Sequence, residues 1–156
     1  MIEQHYVEGY GSYYLYPDNP ITRAEAVTLL DKILKFRDAD NVFFIDVGKN
    51  HWAYGAIARA AEAGVVSGYP DMTFGPDRYV TRMEMAAMLA NALGLEGMSG
   101  MDYPFKDMPP GYWGTPIIRR LKANGLIDGY EDGTFRPEAT ATRAEFMHLV
   151  VEILDL

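Results

Sequence analysis

Apolar positions along this chain gather into two kinds of block. Three blocks are apolar over most of their circumference. They hold Ala26, Val27, Leu29, Leu30, Ile33 and Leu34; Ala86, Met88, Leu89 and Leu93; and Phe146, Met147, Leu149, Val150, Val151, Ile153 and Leu154. Helices with that pattern are buried ones, so long helices are expected over about 22–36, 82–93 and 143–154, together forming a central bundle. Two other blocks keep apolar residues at helical spacing, one through Trp52, Ala56, Ile57, Ala60 and Ala61, the other from Trp113 to Ala123. They predict shorter helices over about 51–63 and 113–123, closed by Gly64 and by Asn124-Gly125, with Pro116 tolerable only in a first turn. Val65-Val66 reads as a short extended segment, Gly68-Tyr69-Pro70-Asp71 and Gly129 to Gly133 as turns. The link 94–104, with Gly94, Gly97 and Gly100, is the most flexible-looking stretch.

Each long helix opens on one signature: Thr22-Arg23-Ala24-Glu25, Thr81-Arg82-Met83-Glu84 and Thr142-Arg143-Ala144-Glu145. The period of about 60 residues marks three related units that bury their apolar faces against one another. Thr and Glu at this spacing form a capping box, a cap contributing about 1 kcal/mol. Gly9-Tyr10, Gly68-Tyr69 and Gly129-Tyr130 precede Pro17, Pro76 and Pro137 by one constant interval, and Leu15, Phe74 and Phe135 share an aligned core position. Phe44-Ile45-Asp46 and Phe105-Lys106-Asp107 open the front halves of units two and three, which run through His51-Trp52 and Tyr112-Trp113. Unit one has no such half, because only eight residues precede Gly9. It reads as truncated at its N-terminus, which would leave an apolar surface open to pairing or domain swapping.

Composition narrows the function. With 156 residues and 49% hydrophobic content the chain has enough apolar mass for one core. A net charge of −8 argues against nucleic-acid binding through a general basic field. No run is long enough to insert in a membrane, and Met1 to Tyr10 has neither the basic nor the apolar region of a signal peptide. Cysteine is absent, Ser12, Ser67 and Ser99 lack a nucleophile-elbow context, and His5, His51 and His148 lack metal-ligand spacing. The aspartate turns at Asp71 and Asp132 lack a calcium loop's alternating oxygens. No catalytic residue, metal site or cofactor is expected.

Arg23, Arg82 and Arg143 stand out. Each occupies the first helical position, where the macrodipole disfavours a cation. Two readings remain open: an ion pair to a loop carboxylate such as Asp46 or Asp107, or an anion site joining a guanidinium fork to helix-end amides. Trp52, Trp113, Tyr69 and Tyr130 could offer flat faces to a sugar ring.

The pattern F-x-D, H-W, G-Y-x-D-x-T-F-x-P and [IV]-T-R-x-E closely resembles the S-layer homology (SLH) domain over nearly the whole chain. The resemblance implies an all-α, pseudo-threefold, three-pronged spindle around a central three-helix bundle. It implies one domain over 1–156, with motif 1 (partial) at 1–38, motif 2 at 43–97 and motif 3 at 104–156. It further implies non-covalent anchoring at the cell surface through secondary cell-wall polysaccharide, gripped in grooves between prongs by way of a pyruvylated sugar. Arg23, Arg82 and Arg143 would then bind the pyruvate carboxylate. Trp52 and Trp113 would wall the grooves, and Asp46, Asp107, Gly68 and Gly129 would form them. Departures at Tyr112, Ala141 and Met83, and the missing front half of unit one, imply one or two competent grooves rather than three. The rival reading is a self-assembly module with degenerate grooves that forms a homo-oligomer or swapped dimer through the first unit.

Overall fold

In the computed structural model, which describes residues 16–39 and 42–154, the described residues form five helices and no strand longer than an isolated bridge. The long helices are α1 (Arg23–Leu34), α3 (Arg82–Ala92) and α5 (Arg143–Ile153); the short ones are α2 (Tyr54–Glu62) and α4 (Thr115–Ala123). The fold is all-α, as the periodicity predicts. Gly9, Tyr10 and Leu15 lie outside the described residues.

All three capping boxes form. Thr22, Thr81 and Thr142 accept from the amides of Glu25, Glu84 and Glu145, whose carboxylates accept in return from the threonine amides. The helix bodies are buried as expected: Ala26, Val27, Leu29, Leu30, Ala86, Leu89, Phe146 and Val150 are almost wholly inaccessible and belong to one continuous core. Phe74 and Phe135 plug it with no exposed surface. The first two long helices each pack on the short helix of the following unit, α1 on α2 and α3 on α4, and α3 also touches α5. The bidentate pair of Arg59 with Asp31, at 3.0 and 2.8 Å, rivets the first of these contacts.

Both short helices begin later than their periodicity predicts, at Tyr54 and Thr115. The His51 ring takes the Ala53 amide at 3.0 Å, and the amides of Tyr54 and Thr115 go back to the carbonyls of His51 and Tyr112. Those turn bonds occupy the donors that an earlier helix start would leave unsatisfied. Trp52 and Trp113 therefore sit on turns ahead of the helices, 58% and 60% exposed, instead of on their buried faces.

The glycine-rich link 94–104 is fastened, contrary to its composition. Arg119, only 6% exposed, donates to Asp102 Oδ1, Asp102 O and Met98 O at 2.9, 2.9 and 2.7 Å, while Lys122 holds Pro104 O at 2.6 Å. A buried guanidinium with several acceptors supplies the order that the backbone composition withholds.

The turn glycines are required by close packing. A Cβ on Gly129 would lie 2.4 Å from Thr134 O and 2.5 Å from the Phe105 ring; on Gly68 it would lie 2.3 Å from the Phe44 ring. Gly129→Ala is expected to destabilise the protein by about 1–3 kcal/mol through overpacking. Gly111→Ala, with nothing within 4 Å of its Cβ, should change stability by less than about 0.5 kcal/mol. Chemical denaturation followed by circular dichroism reads both.

Candidate groove between the repeats

The three signatures meet at one place. The amide of Ile21 donates to Ala141 O, that of Ala141 to Val80 O and that of Val80 to Ile21 O, at 3.3, 2.8 and 3.0 Å. All three residues are buried. This closed ring presses each loop onto the helix start of the preceding unit in cyclic order. The Arg23 and Ala24 amides donate to Arg78 O and Pro76 O. Those of Arg82 and Met83 donate to Ala139 O and Pro137 O, and those of Arg143 and Ala144 to Asn19 O and Pro17 O. With the threonine caps, the first three amides of every long helix are taken. The helix-end amides that the anion-site reading would draw on therefore all have internal acceptors.

The arginines follow the same cycle. Arg23 donates to Phe74 O, Ser67 O and Glu84 Oε2 at 2.9, 2.9 and 3.0 Å. Arg82 donates to Phe135 O at 2.9 Å and pairs with Glu145; Arg143 pairs with Glu25 at 3.5 Å. The internal partner is the capping-box glutamate of the next unit, not Asp46 or Asp107. Those two aspartates hold loop amides instead: Asp46 accepts from Phe74 and Gly75 at 2.8 Å each, Asp107 from Phe135 and Arg136 at 2.9 and 2.8 Å. Each capping glutamate thus seals its own helix and neutralises an arginine. That arginine has left its own unfavourable helix end to reach it.

Above the Arg23–Glu84 pair lies a cleft of about 790 Å³. The start of α1 gives it Arg23, the turn after α2 gives Ser67, Gly68 and Tyr69, α3 gives Glu84 and Asn91, and the third unit gives Trp113 and Glu138. Tyr69 and Phe74 flank the guanidinium, their ring centroids 5.2 and 4.4 Å away. A second cleft, about 160 Å³, lies at Arg82 and is lined by Asp128, Glu145, His148 and Glu152. Of the residues expected to bind ligand, Arg23, Gly68 and Trp113 come together in the first cleft and Arg82 reaches the second. Arg143, Trp52, Asp46, Asp107 and Gly129 line neither.

The two clefts differ in charge. The first carries Arg23 and Arg78 against Glu84 and Glu138, and so is balanced. The second carries Arg82 against Asp128, Glu145 and Glu152, which makes it acidic. Sequence reading missed Asn91, Arg78 and Glu138 because their unit-to-unit counterparts are Glu152, Ala139 and Asp77. A search for repetition passes over such positions; a search for differences between units would have flagged them.

At the rim the Tyr112 hydroxyl donates to Glu138. Burial, aided by this carboxylate, pushes the Tyr112 phenol up to about 12. Asp71 and Asp132 are held below the usual carboxylate range by their bonds from Thr73 and Thr134 within the turns. No helix among the described residues is long and apolar enough to cross a membrane.

A family model described as the S-layer homology domain matches residues 3–27, 44–86 and 104–147. The chain is 36% identical to the Cellulosome-anchoring protein of Acetivibrio thermocellus, over 96% of this chain and 35% of that protein. It is 32% identical to the Surface-layer 125 kDa protein of Lysinibacillus sphaericus, over 83% of this chain and 11% of that one. It is 27% identical to Exoglucanase XynX of Acetivibrio thermocellus, over 99% of this chain and 15% of that enzyme. The chain therefore spans about a third or less of each of these relatives.

Two expectations follow from this geometry. Glu145→Gln keeps the capping oxygen and removes the charge facing Arg82, which should cost about 1.5–3 kcal/mol in a chemical denaturation series. Glu138→Gln should bring the Tyr112 ionisation part of the way back toward the ordinary phenol value, since burial remains. Ultraviolet pH titration against a Tyr112→Phe reference reads that shift.

Proposed function

The chain belongs to the S-layer homology domain family, and from that membership we propose that it is a non-enzymatic module that holds an attached protein at a cell surface by gripping cell-wall polysaccharide. The observation that carries this reading is the cleft at Arg23. Its volume of about 790 Å³ falls within the range of roughly 300–1,000 Å³ common to ligand sites. An exposed indole, Trp113, stands in its lining beside amide and hydroxyl groups of Asn91 and Ser67. Aromatic faces with neighbouring polar groups suit sugar rings, whose C–H faces are apolar and whose rims are hydroxyls. Arg23 has five N–H donors, three of them engaged by the protein. The remaining two suit the carboxylate of an acidic sugar, in the finer reading a pyruvate ketal. The Arg82 cleft, with three carboxylates around one arginine, disfavours the same ligand.

The carboxylates of the larger cleft support a binding role over catalysis. Glu84 is engaged by Thr81 N and Arg23, and Glu138 by the Tyr112 hydroxyl. Neither stands free to act as acid or base on a bound glycoside. Relatives named for anchoring, for surface layers and for an exoglucanase all match this chain over only part of their length. A module attached to different cargoes accounts for that distribution.

The test is co-sedimentation of the full chain with purified sacculi of Lysinibacillus sphaericus and Acetivibrio thermocellus, before and after the secondary polysaccharide is stripped. Pelleting should depend on the polysaccharide and weaken about tenfold or more in Trp113→Ala, a loss of roughly 1.4 kcal/mol. Trp113 is exposed, so this variant should melt like the wild type. A folded wild type that stays in the supernatant with both kinds of sacculi would refute the reading.

A further inference from the structure

Arg23 is largely occupied by the protein itself, and Glu84 balances its charge 3.0 Å away. The cleft has a second arginine in a different condition. Arg78 is exposed and lines the same cleft. Its guanidinium lies over the Tyr69 ring, 4.8 Å from the centroid, on a tyrosine that Arg23 also flanks. Among the described residues it makes no side-chain hydrogen bond or ion pair; Asp71 feels its charge without reaching pairing distance. Glu138, the other charged group of the lining outside the Arg23–Glu84 pair, is engaged by Tyr112.

The third unit shows that this placement is particular to the second. There the aligned position is Ala139, and the cation over the turn tyrosine comes from Arg136, aligned with Gly75. Arg136 adopts a left-handed φ of 60° and lies 3.7 Å from the Tyr130 centroid. It is tied to Asp132 and Thr134 at 3.3 Å each, and it does not line the Arg82 cleft. In the second unit Gly75 clears the space: a Cβ there would come within 2.7 Å of Arg78 Cδ. Glycine at 75 and arginine at 78 thus work as a pair. They exchange a cation locked to its own turn for one laid along the groove rim with its donors unused.

We propose that Arg78 is a second ligand-facing cation of the groove, acting beside the two remaining donors of Arg23, and the residue that selects polysaccharide bearing an acidic group, whether carboxylate or phosphate. This rests on the polysaccharide-binding reading of the same cleft. Arg23 shapes the floor, the Tyr69 face pre-orients the Arg78 fork, and five unengaged N–H donors meet the anion. Stacking limits the rotamer freedom that an exposed arginine would otherwise lose on binding.

The experiment compares the full-length wild type, Arg78→Gln and Lys49→Gln for binding to polysaccharide-bearing sacculi over a series of sodium chloride concentrations. Lys49 is an exposed cation outside the cleft and controls for net charge. Arg78→Gln should bind about tenfold more weakly or worse, with a flatter salt dependence, while Lys49→Gln follows the wild type. Carbodiimide amidation of the sacculi separates the two anions: a mutant gap that vanishes marks a carboxylate, and one that persists marks a phosphate. Wild-type binding with an unchanged Arg78→Gln overturns the role of Arg78 and leaves the polysaccharide reading standing. An equal loss in Lys49→Gln also overturns it, since net charge alone would then explain the effect. Failure of the wild type to bind sacculi removes both.

Discussion

Three main-chain hydrogen bonds among Ile21, Val80 and Ala141 form the constraint on which this molecule depends. They are buried, so each missing partner would leave a donor or acceptor without water to replace it. The ring is cyclic: no pair of units can complete it without the third. It also sets where every loop lands. Once Val80 and Ala141 are fixed, the carbonyls of the residues before them are delivered to the first two amides of the neighbouring long helix. A repeat protein would ordinarily stack in a line with nearest-neighbour contacts; here closure makes each unit the cap of another.

Closure also explains why an arginine sits at the electrostatically poor end of each long helix. The guanidinium does not remain there. It crosses to the following unit and ends on the capping glutamate, and Arg23 and Arg82 also collect loop carbonyls that the ring has brought close. Glutamate is favoured at a helix N-terminus by both the cap and the dipole. One repeated four-residue signature thereby performs three tasks: starting a helix, bonding the units and flooring the clefts. A module so organised can vary its rim while its floor stays fixed, and the two clefts show that variation in Arg78 against Ala139 and Asn91 against Glu152.

Much of this was legible from residues alone. The capping boxes are local, since Thr22 and Glu25 need only each other and three peptide amides, and all three form as written. Burial of the long helices follows from their all-round apolar pattern, and Phe74 and Phe135, large apolar side chains at one aligned position, are buried completely as plugs. Where reading by pattern failed, a longer-range bond had intervened. Trp52 and Trp113 fit a helical period, yet turn bonds to His51 and Tyr112 hold them outside the helices. The link 94–104 has the composition of a loose connection, but the guanidinium of Arg119 reaches it from 17 residues or more along the chain.

The sequence by itself determined the three units, the helices and their caps, the buried faces and the absence of a thiol. Those depend on periodicity and on contacts between residues three or four positions apart. Tertiary structure decided which carboxylate each arginine meets, which clefts open and what charge each one carries. Glu84 and Arg23 lie 61 positions apart, and no local propensity couples them. Only closure of the ring brings the second unit's loop against the first unit's helix, and with it the aromatic, amide and cationic groups that give the cleft its chemistry.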